Sequence, residues 1–281
     1  MSLSPLFVED IVRQALKEDL GHGYDLTSQF VVDGAADATA AIRAREDGVV
    51  AGLAPALTAF ALTDPDISCS IEKVDGQDVQ AGDTIAVVSG PAQAILTAER
   101  VALNFLNYLS GIASLTAQFV DMVEGTDARI VSTRKTMPNL RGLQLDAVRS
   151  GGGYNHRFGL DNGILIKDNH IALAGSIKDA LEAARNKSGH MVKIQIELET
   201  PEQVGEAFET GLADAILLDN MTPDQIGECM KLLDDIMVVE ASGGVVPETV
   251  REIAETGVHY VSIGALTHSA RSLDIGLDIE K

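Results

Sequence analysis

The second half of the chain alternates short apolar runs with helical segments of ten or more residues. Many residues of the apolar runs are β-branched, which favours strands over helices. Apolar strands that alternate with helices are typical of a buried parallel sheet. Six such units predict an α/β barrel rather than an open sheet, although the pattern alone does not establish closure. The strand candidates are RIVST, ILIK, VKIQIEL, AILLD, IMVVEA and HYVSIG.

Three helices of this half are predicted to begin in the same way, with a proline followed by an acidic residue. Proline suits the first helical position, where an amide hydrogen would have no partner, and an acid interacts favourably with the positive end of the helix dipole. These helix starts are Pro201-Glu202, Pro223-Asp224 and Pro247-Glu248.

The first half has no such regular alternation. The pattern predicts an amphipathic helix over 5–19, a strand–turn–strand over 37–53, a helix over 54–62 and short strands over 67–95. A long helix is predicted to follow over 97–123, and Gly111 is expected to kink it or to split it in two.

The net charge of the chain is −21, which argues against non-specific binding to nucleic acid or to anionic lipid. No apolar run reaches the roughly 18–20 residues that a membrane span needs, and the N-terminus lacks the pattern of a secretion signal. Cys69 and Cys229 form no metal or redox motif, so neither a disulfide framework nor a zinc site is predicted. We therefore expect a cytoplasmic protein with no nucleic-acid or membrane partner.

One segment is basic within this acidic chain. Between residues 129 and 167 there are seven basic residues and only two acidic ones. A basic island of this kind predicts a binding site for an anion, and a solvated basic face is the plain alternative.

Polar residues and glycines stand at the carboxyl ends of the predicted strands, where α/β barrels place their functional sites. Cations follow the early strands, carboxylates the middle ones and glycines the last two. In chain order, these residues are Thr133, Arg134, Lys135, Lys167, Glu197, Asp219, Ser242, Gly243, Gly244, Gly264 and Ala265.

The last two loops favour a phosphate site, because glycines let backbone amides approach an anion and helix N-termini favour negative charge. The SGG of residues 242–244 is also compatible with a plain turn. Glu197 and Asp219, on neighbouring strands, are suited to holding Mg²⁺ or ribose hydroxyls. The alternative for these carboxylates is a salt-bridge network with Lys167 and Arg134.

The segment SGGGYNHRFGLDNG, residues 150–163, is too rich in glycine and polar residues for core packing. Within it, His156 offers an aromatic hydrogen-bond donor, and Arg157 offers a planar fork that suits a carboxylate. The segment therefore extends the predicted anion site.

The block STRKTMPNLRGLQLDAVRSGGGYNHRFGLDNGILIKDNHI closely resembles the signature of the quinolinate phosphoribosyltransferase family. Other matching stretches are EDLGHGYDLTS, LTAERVALNFLNYLSGIAS, IELET, ILLDN, EASGG and SIGALTHS, so the resemblance covers essentially the whole chain. It implies an N-terminal α/β sandwich domain (1–112, joined by 267–281) and a C-terminal partly open α/β barrel of the type II phosphoribosyltransferase class (113–266). It also implies a homodimer or hexamer with shared active sites.

The resemblance implies an activity as well. The family transfers phosphoribosyl from phosphoribosyl pyrophosphate to quinolinate with Mg²⁺ and with decarboxylation, giving nicotinate mononucleotide, pyrophosphate and CO₂ in NAD biosynthesis. By matching position, quinolinate is assigned to Arg134, Arg157 and Lys167, with His156 and Thr133 alongside and Arg100 reaching in from the neighbouring subunit. Lys135 is assigned to the pyrophosphate, Glu197 and Asp219 to ribose hydroxyls or the metal, and Ser242, Gly243, Gly264, Ala265 and His268 to the 5′-phosphate. Gly244 belongs to the same loop but departs from the asparagine that many relatives carry there.

Two alternatives stay open at this point. One is a related phosphoribosyltransferase or paralogue that acts on another pyridine carboxylate, and the number of cations favours a dicarboxylate over it. The other is a non-catalytic anion-binding protein on the same fold, since a fold does not determine a function. That alternative predicts a missing cation or carboxylate at the strand ends, and none is missing.

Overall fold

The computed structural model describes residues 3–234 and 236–280. The helices are α1 (Pro5–Leu20), α2 (Leu26–Val31), α3 (Leu53–Thr63), α4 (Ala92–Met122), α5 (Arg141–Ser150), α6 (Asp168–Ala174), α7 (Ile177–Lys187), α8 (Pro201–Thr210), α9 (Pro223–Leu233), α10 (Pro247–Glu255) and α11 (Ala265–His268). The strands are β1 (Asp37–Ala44), β2 (Gly48–Val49), β3 (Ser68–Ile71), β4 (Asp78–Val79), β5 (Thr84–Pro91), β6 (Arg129–Val131), β7 (Ile164–Ile166), β8 (Ile194–Leu198), β9 (Ala215–Asp219), β10 (Val238–Ser242), β11 (Tyr260–Ser262) and β12 (Ile275–Ile279). Among the described residues, no helix combines the length and apolar character that crossing a membrane requires. The cytoplasmic location stays a prediction.

The chain divides into two compact units. The first, which we call the sheet unit, runs up to Ala117 and also contains Thr136–Gly152 and the chain from Ala265 onward. The second, which we call the barrel unit, consists of Gln118–Lys135 and Gly153–Gly264.

The domain boundaries expected from the sequence, 1–112 with 267–281 and 113–266, stay a prediction. Residues 1, 2, 235 and 281 of those ranges lie outside the described residues.

The sheet unit is built on four antiparallel strands in the order β12-β1-β5-β3. Ile42 of β1 is fully buried at the centre of this sheet. The last strand, β12, pairs with β1 in a register that places Ala40 opposite Ile279. The end of the chain therefore completes a sheet that its first half begins.

Gly111 does not kink or split the long helix, so that expectation was wrong. Helix α4 runs without interruption from Ala92 to Met122. A Cβ atom at Gly111 would clash with the backbone oxygen of Arg271. The glycine therefore permits the segment that leads into β12 to lie directly against the helix.

The barrel unit contains six parallel strands in the order β6-β11-β10-β9-β8-β7, which are the six strands that the sequence predicted. No ladder joins β6 to β7 in the described part of the chain. Tyr154 forms a single parallel bridge with Val131 on the free edge of β6. The prediction of a partly open α/β barrel is confirmed.

The side-chain alternation along β8 separates two faces of the barrel sheet. Ile194, Ile196 and Leu198 are buried, whereas Gln195 and Glu197 between them are half-buried. Successive strand residues point to opposite faces, so the polar pair shares the face away from the isoleucines. Strand β8 thus contributes apolar side chains to the core on one face and polar side chains on the other.

The proline helix starts are also confirmed. Helices α8, α9 and α10 begin at Pro201, Pro223 and Pro247. Thr200 and Thr222 cap the first two by accepting hydrogen bonds from the amides three residues later, which satisfies donors that a helix start leaves without partners. These helices begin where their strands have ended, which keeps the connecting loops short.

We predict that Gly111→Ala destabilises the protein by about 1–3 kcal/mol, because the added methyl group overpacks a contact made by rigid backbone. Gly227→Ala is the matched control, since Gly227 lies in α9 and an added methyl group there would meet nothing within 4 Å. The control should gain up to about 1 kcal/mol from helix propensity alone. Urea unfolding of both variants measures the difference, and a Gly111→Ala variant as stable as the control would contradict this packing.

Candidate active site

The carboxyl ends of β7 and β8 bring a cation and a carboxylate together. Ile166 lies opposite Ile196 in the parallel ladder, so the residues that follow them, Lys167 and Glu197, are neighbours. Their side chains form an ion pair, and only 15% of the Glu197 side chain is exposed. The salt-bridge alternative for Glu197 is therefore present with Lys167.

Asp219, at the end of β9, belongs to the same group. Burial raises its pKa, the nearby charge of Glu197 raises it further, and the charges of Lys167 and Lys135 act in the opposite direction. The carboxylate of Asp219 is thus repelled by that of Glu197 and attracted by the two lysines. The strand ends concentrate both signs of charge in one place, as predicted.

Arg134 and Arg157 form a second charged group within the barrel unit. Burial lowers the pKa of Arg157, and the positive charge of Arg134 lowers it further, so the two guanidinium groups repel each other. Each has a buried Nε atom without a hydrogen-bond partner. Arg157 donates from Nη1 to the carbonyl of Gly163 at 2.6 Å, and neither arginine forms an ion pair with any described carboxylate.

The repulsion between two half-buried cations lowers the stability of the folded protein unless an anion binds near both of them. The paired donors of a guanidinium match a carboxylate in plane. The Arg134–Arg157 pair is therefore the feature of the barrel unit that best suits a dianionic ligand.

The turn after β6 is held by Thr133, whose Oγ1 accepts a hydrogen bond from the backbone amide of Lys135 at 3.1 Å. This contact fixes the turn in which Arg134 stands. Thr133 is half-buried and Lys135 is exposed, so the lysine is accessible to a ligand at the strand ends.

The loop after β10 needs its glycines for a structural reason. Gly243 and Gly244 have φ angles of 89° and 60°, which side chains disfavour. A Cβ atom at Gly243 would also clash with the side chain of Asn220, whose backbone amide donates to the carbonyl of Ser242 at 2.9 Å. The departure at Gly244 therefore leaves an open backbone turn beside Asp219, which lies opposite Ser242 in the ladder.

Asn220 takes part in the site although it was not among the predicted site residues. Its Nδ2 donates to Oδ2 of Asp219 at 2.8 Å, and its backbone has a positive φ of 56°. An asparagine directly after a strand is a known candidate for this conformation, and that signal in ILLDN was available from the sequence.

His156 points toward the interior of the barrel. Its Nδ1 accepts from the backbone amide of Arg157 at 2.7 Å, which places the ring proton on Nε2 when the ring is neutral. Nε2 lies 2.9 Å from Oε1 of Gln195, and Nε2 of Gln195 donates to Oε2 of Glu240 at 2.8 Å. Both ring nitrogens thus have protein partners, and a contact of His156 with substrate stays a prediction.

Gln195 and Glu240 were missed as polar groups of the barrel interior. Glu240 is 5% exposed and stands within the apolar run IMVVEA, which predicted a strand and nothing else. A carboxylate in the middle of a buried strand is itself a signal, because buried charges need partners.

The remaining predicted residues are divided between the two units. Gly264 is the last residue of the barrel unit, whereas Arg100, Ala265 and His268 belong to the sheet unit. The Arg100 side chain is 56% exposed on α4, and His268 is exposed with its Nδ1 2.6 Å from Oγ of Ser269. Their assigned roles stay predictions.

The carboxylates of Glu197 and Asp219 suit a magnesium ion that is also bound to phosphate groups of a substrate. No group of three or more metal-ligating side chains occurs among the described residues. Mg²⁺ commonly uses one or two carboxylates and takes its other oxygens from water and phosphates. The proximity of Glu197 and Asp219 meets that minimal requirement, and Mg²⁺ stays a prediction.

The comparisons with known proteins agree in both halves of the chain. Residues 25–110 match the model of the quinolinate phosphoribosyl transferase N-terminal domain, and residues 112–278 match that of the C-terminal domain. The chain is 45% identical to a probable nicotinate-nucleotide pyrophosphorylase [carboxylating] of Bacillus subtilis, over 99% of this chain and 95% of that protein. It is 42% identical to the nicotinate-nucleotide pyrophosphorylase [carboxylating] of Mycobacterium leprae, over 96% of each.

Solved structures give the same result. The crystal structure of nicotinate-nucleotide pyrophosphorylase from Ehrlichia chaffeensis superposes with a TM-score of 0.94 at 41% identity, and NadC from Streptococcus pyogenes superposes with 0.95 at 38%, each over 100% of both chains. With its two domain models matched and its relatives covered over nearly their whole length, this chain belongs to the quinolinate phosphoribosyl transferase family.

Proposed function

We propose that this protein transfers the phosphoribosyl group of phosphoribosyl pyrophosphate to quinolinate with loss of CO₂, producing nicotinate mononucleotide and pyrophosphate for NAD biosynthesis. The observation that carries the proposal is the Arg134–Arg157 pair, two neighbouring guanidinium groups without a carboxylate partner. Quinolinate has carboxylates on adjacent ring atoms and supplies both missing charges at once. The relatives that bear this activity in their names support it.

Substrate binding divides among the charged groups. Arg134 and Arg157 hold the quinolinate carboxylates. Lys167 adds a third positive charge once a carboxylate of the ligand replaces Glu197 as its partner. Thr133 holds the turn that presents Arg134, and the His156 ring fixes the backbone of Arg157 through its Nδ1.

The chemistry needs no general base. The lone pair of the pyridine nitrogen forms the new bond to C1 of the ribose as the bond from C1 to the pyrophosphate oxygen breaks. Positive charge develops on the ribose ring in this step, and the Glu197 carboxylate, held in place by Lys167, stabilises it. The ring nitrogen becomes cationic. The carboxylate on the adjacent ring carbon then leaves as CO₂, and the electron pair of the broken bond stays on that carbon, where it takes up a proton from solvent.

The departing pyrophosphate is an anion that Lys135 neutralises. Glu197 and Asp219 would hold Mg²⁺, which would supply further positive charge to the pyrophosphate when bound. Ser242, Gly243 and Gly244 offer open backbone around the 5′-phosphate, and Gly264, Ala265 and His268 are proposed to complete that cradle.

The decisive assay measures pyrophosphate and CO₂ from the full chain with phosphoribosyl pyrophosphate and Mg²⁺. We expect both products in equal amounts with quinolinate and at least a hundredfold lower turnover with nicotinate, because one carboxylate leaves a guanidinium unpaired. Turnover of nicotinate at the same rate would favour the other phosphoribosyltransferase, and binding of quinolinate without turnover would favour the anion-binding protein.

In the same assay, Arg157→Ala should weaken quinolinate binding by about 2–5 kcal/mol, because it leaves substrate charge unpaired. Arg251→Ala removes an equal charge from the exposed surface of α10 and should leave the KM unchanged. Removing a repelling cation should leave the melting temperature of Arg157→Ala unchanged or higher, which separates lost binding from lost folding. An unchanged KM for quinolinate in Arg157→Ala would refute the assignment.

We further propose that the active sites are shared in a homodimer or a hexamer, with Arg100 acting in the neighbouring subunit's site. Support comes from its exposure on α4, a helix whose other residues are largely apolar. Arg100→Ala and Lys167→Ala should each be nearly inactive alone. Coexpressed together, they should recover about a quarter of the wild-type activity, because half of the dimers are then mixed and each mixed dimer has one intact site. No recovery in isolated mixed dimers would place Arg100 in its own subunit's site, and full activity of Arg100→Ala alone would place it outside both.

The repulsion between Glu197 and Asp219 should cost stability. Because the pKa of Asp219 is raised in the folded protein, its ionised form destabilises the fold above that pKa, and the cost is lost as pH falls toward the ordinary aspartate value of 3.8. Asp219→Asn should therefore melt roughly 2 °C higher at pH 7, with the gain shrinking toward pH 4, and should lose activity.

Asp214→Asn is the contrasting variant. Burial acts to raise the pKa of Asp214, but the amide of Ile194 and the ion pair with Arg185 together lower it. This substitution should lower the melting temperature at pH 7. A loss of stability in Asp219→Asn equal to that of Asp214→Asn would show that Asp219 has a structural role instead.

A further inference from the structure

A cavity of about 490 Å³ opens at the amino end of the barrel strands. Its lining includes the first residues of five strands, Ile164, Ile194, Ala215, Val238 and Tyr260. Glu197, Asp219 and Ser242, at the carboxyl ends, are not part of that lining. The cavity therefore excludes these strand-end residues, although it shares His156 and Arg157 with the proposed quinolinate site.

Glu240 is the unusual group of this cavity. Its side chain is 6% exposed, and its Oε1 is buried without any hydrogen-bond partner. Its Oε2 accepts from Gln195 and lies 3.5 Å from Nε2 of His156. The amide of Arg157 donates to the other nitrogen of that ring, and Nε2 lies closer to Oε1 of Gln195, at 2.9 Å, than to Glu240.

Two basic residues line the cavity, and each has a hydrogen-bond partner. Lys193 pairs with Asp214 at 3.1 Å, and Arg157 donates to the carbonyl of Gly163. Within the described residues, no lysine or arginine forms an ion pair with Glu240. A buried carboxylate with one empty oxygen and no cation beside it is unfavourable unless a ligand supplies the donor.

The other walls of the cavity determine what kind of donor fits. Tyr260 brings an aromatic ring to the lining, and Ile164, Ile194 and Val238 bring aliphatic surface. The ring of Tyr154 also lies there, but the guanidinium group of Arg129 already stands 4.9 Å from its centroid. Walls of this kind favour a flat apolar body, and aromatic faces also attract cations. The volume leaves room for a ligand of one ring with its substituent.

We propose that the amino end of the barrel is a binding site for a small aromatic cation, whose protonated nitrogen donates to Oε1 of Glu240 while its ring lies against the apolar wall. The negative charge of the chain, −21 in total, raises the local concentration of such a cation further. The site shares His156 and Arg157 with the wall of the proposed substrate site, so the experiment must separate the two sites.

The probe is benzamidine, which combines a ring with an amidinium group, and the measurement is calorimetric titration into the full chain. We expect saturable binding of one equivalent, and benzamide, its neutral analogue, should bind about tenfold or more weakly because the charged hydrogen bond is lost. Equal binding of benzamide and benzamidine would overturn the role of Glu240.

Glu240→Gln keeps the shape of the side chain and its contact with Gln195, and it should weaken benzamidine binding by about tenfold or more. Glu206→Gln is the matched control, since it removes one negative charge from α8, away from the cavity lining, and should change nothing. Val238→Trp should block the mouth of the cavity without touching Glu240. Unaltered affinity in Glu240→Gln or in Val238→Trp would end the proposal.

Saturating phthalate, a ring dicarboxylate, separates this cavity from the arginine pair. Benzamidine should bind with phthalate present, because its amidinium group is held by Glu240, whereas the phthalate carboxylates are held at Arg134 and Lys167. Displacement of benzamidine by phthalate would place it in the substrate site and refute the proposal. These readouts measure binding only, so they stand whether or not the chain turns over quinolinate.

Discussion

Like charges held close together are the constraint on which the chemistry of this barrel depends. Arg134 stands beside Arg157, and Glu197 beside Asp219, and in each pair burial adds to the cost of charge. A fold selected for stability alone would separate them or pair each with an opposite charge. An anionic substrate would balance the arginine pair, and a cation would balance the carboxylate pair. The site is therefore most stable when it is full.

The parallel ladder is what makes such a cluster possible. Neighbouring parallel strands end at the same edge, so Lys167, Glu197 and Asp219 meet although many residues separate them in the chain. Strand alternation then keeps their charges off the face that carries Ile196 and Leu198. The apolar face supplies the stabilising burial, and the polar face can carry repulsion without disrupting the core.

The sequence predicted the strands of the barrel because each is an apolar run, and three of them are followed by a helix that begins with proline. It predicted the residues at the strand ends because functional sites of α/β barrels lie there. It could not predict the role of Gly111, because the clash that explains it comes from Arg271, far along the chain. The pairing of β12 with β1 likewise joins the two ends of the chain, and only the family resemblance indicated it. The pattern of neighbouring residues predicts individual helices and strands, whereas contacts between distant residues depend on the whole fold.

Glu240 marks the limit of pattern reasoning most clearly. Within IMVVEA, its neighbours determine that a strand forms, and the strand's register then carries its carboxylate into the barrel interior whatever its charge. Gln195 donates to one oxygen of that carboxylate, and the other oxygen is left without a donor. Replacing Glu240 by a residue of similar volume without charge would remove this cost, as it would for many buried charges. A buried group that is both costly and simple to replace is best explained by something it binds, which is why the amino end of the barrel, like its carboxyl end, is expected to receive a ligand.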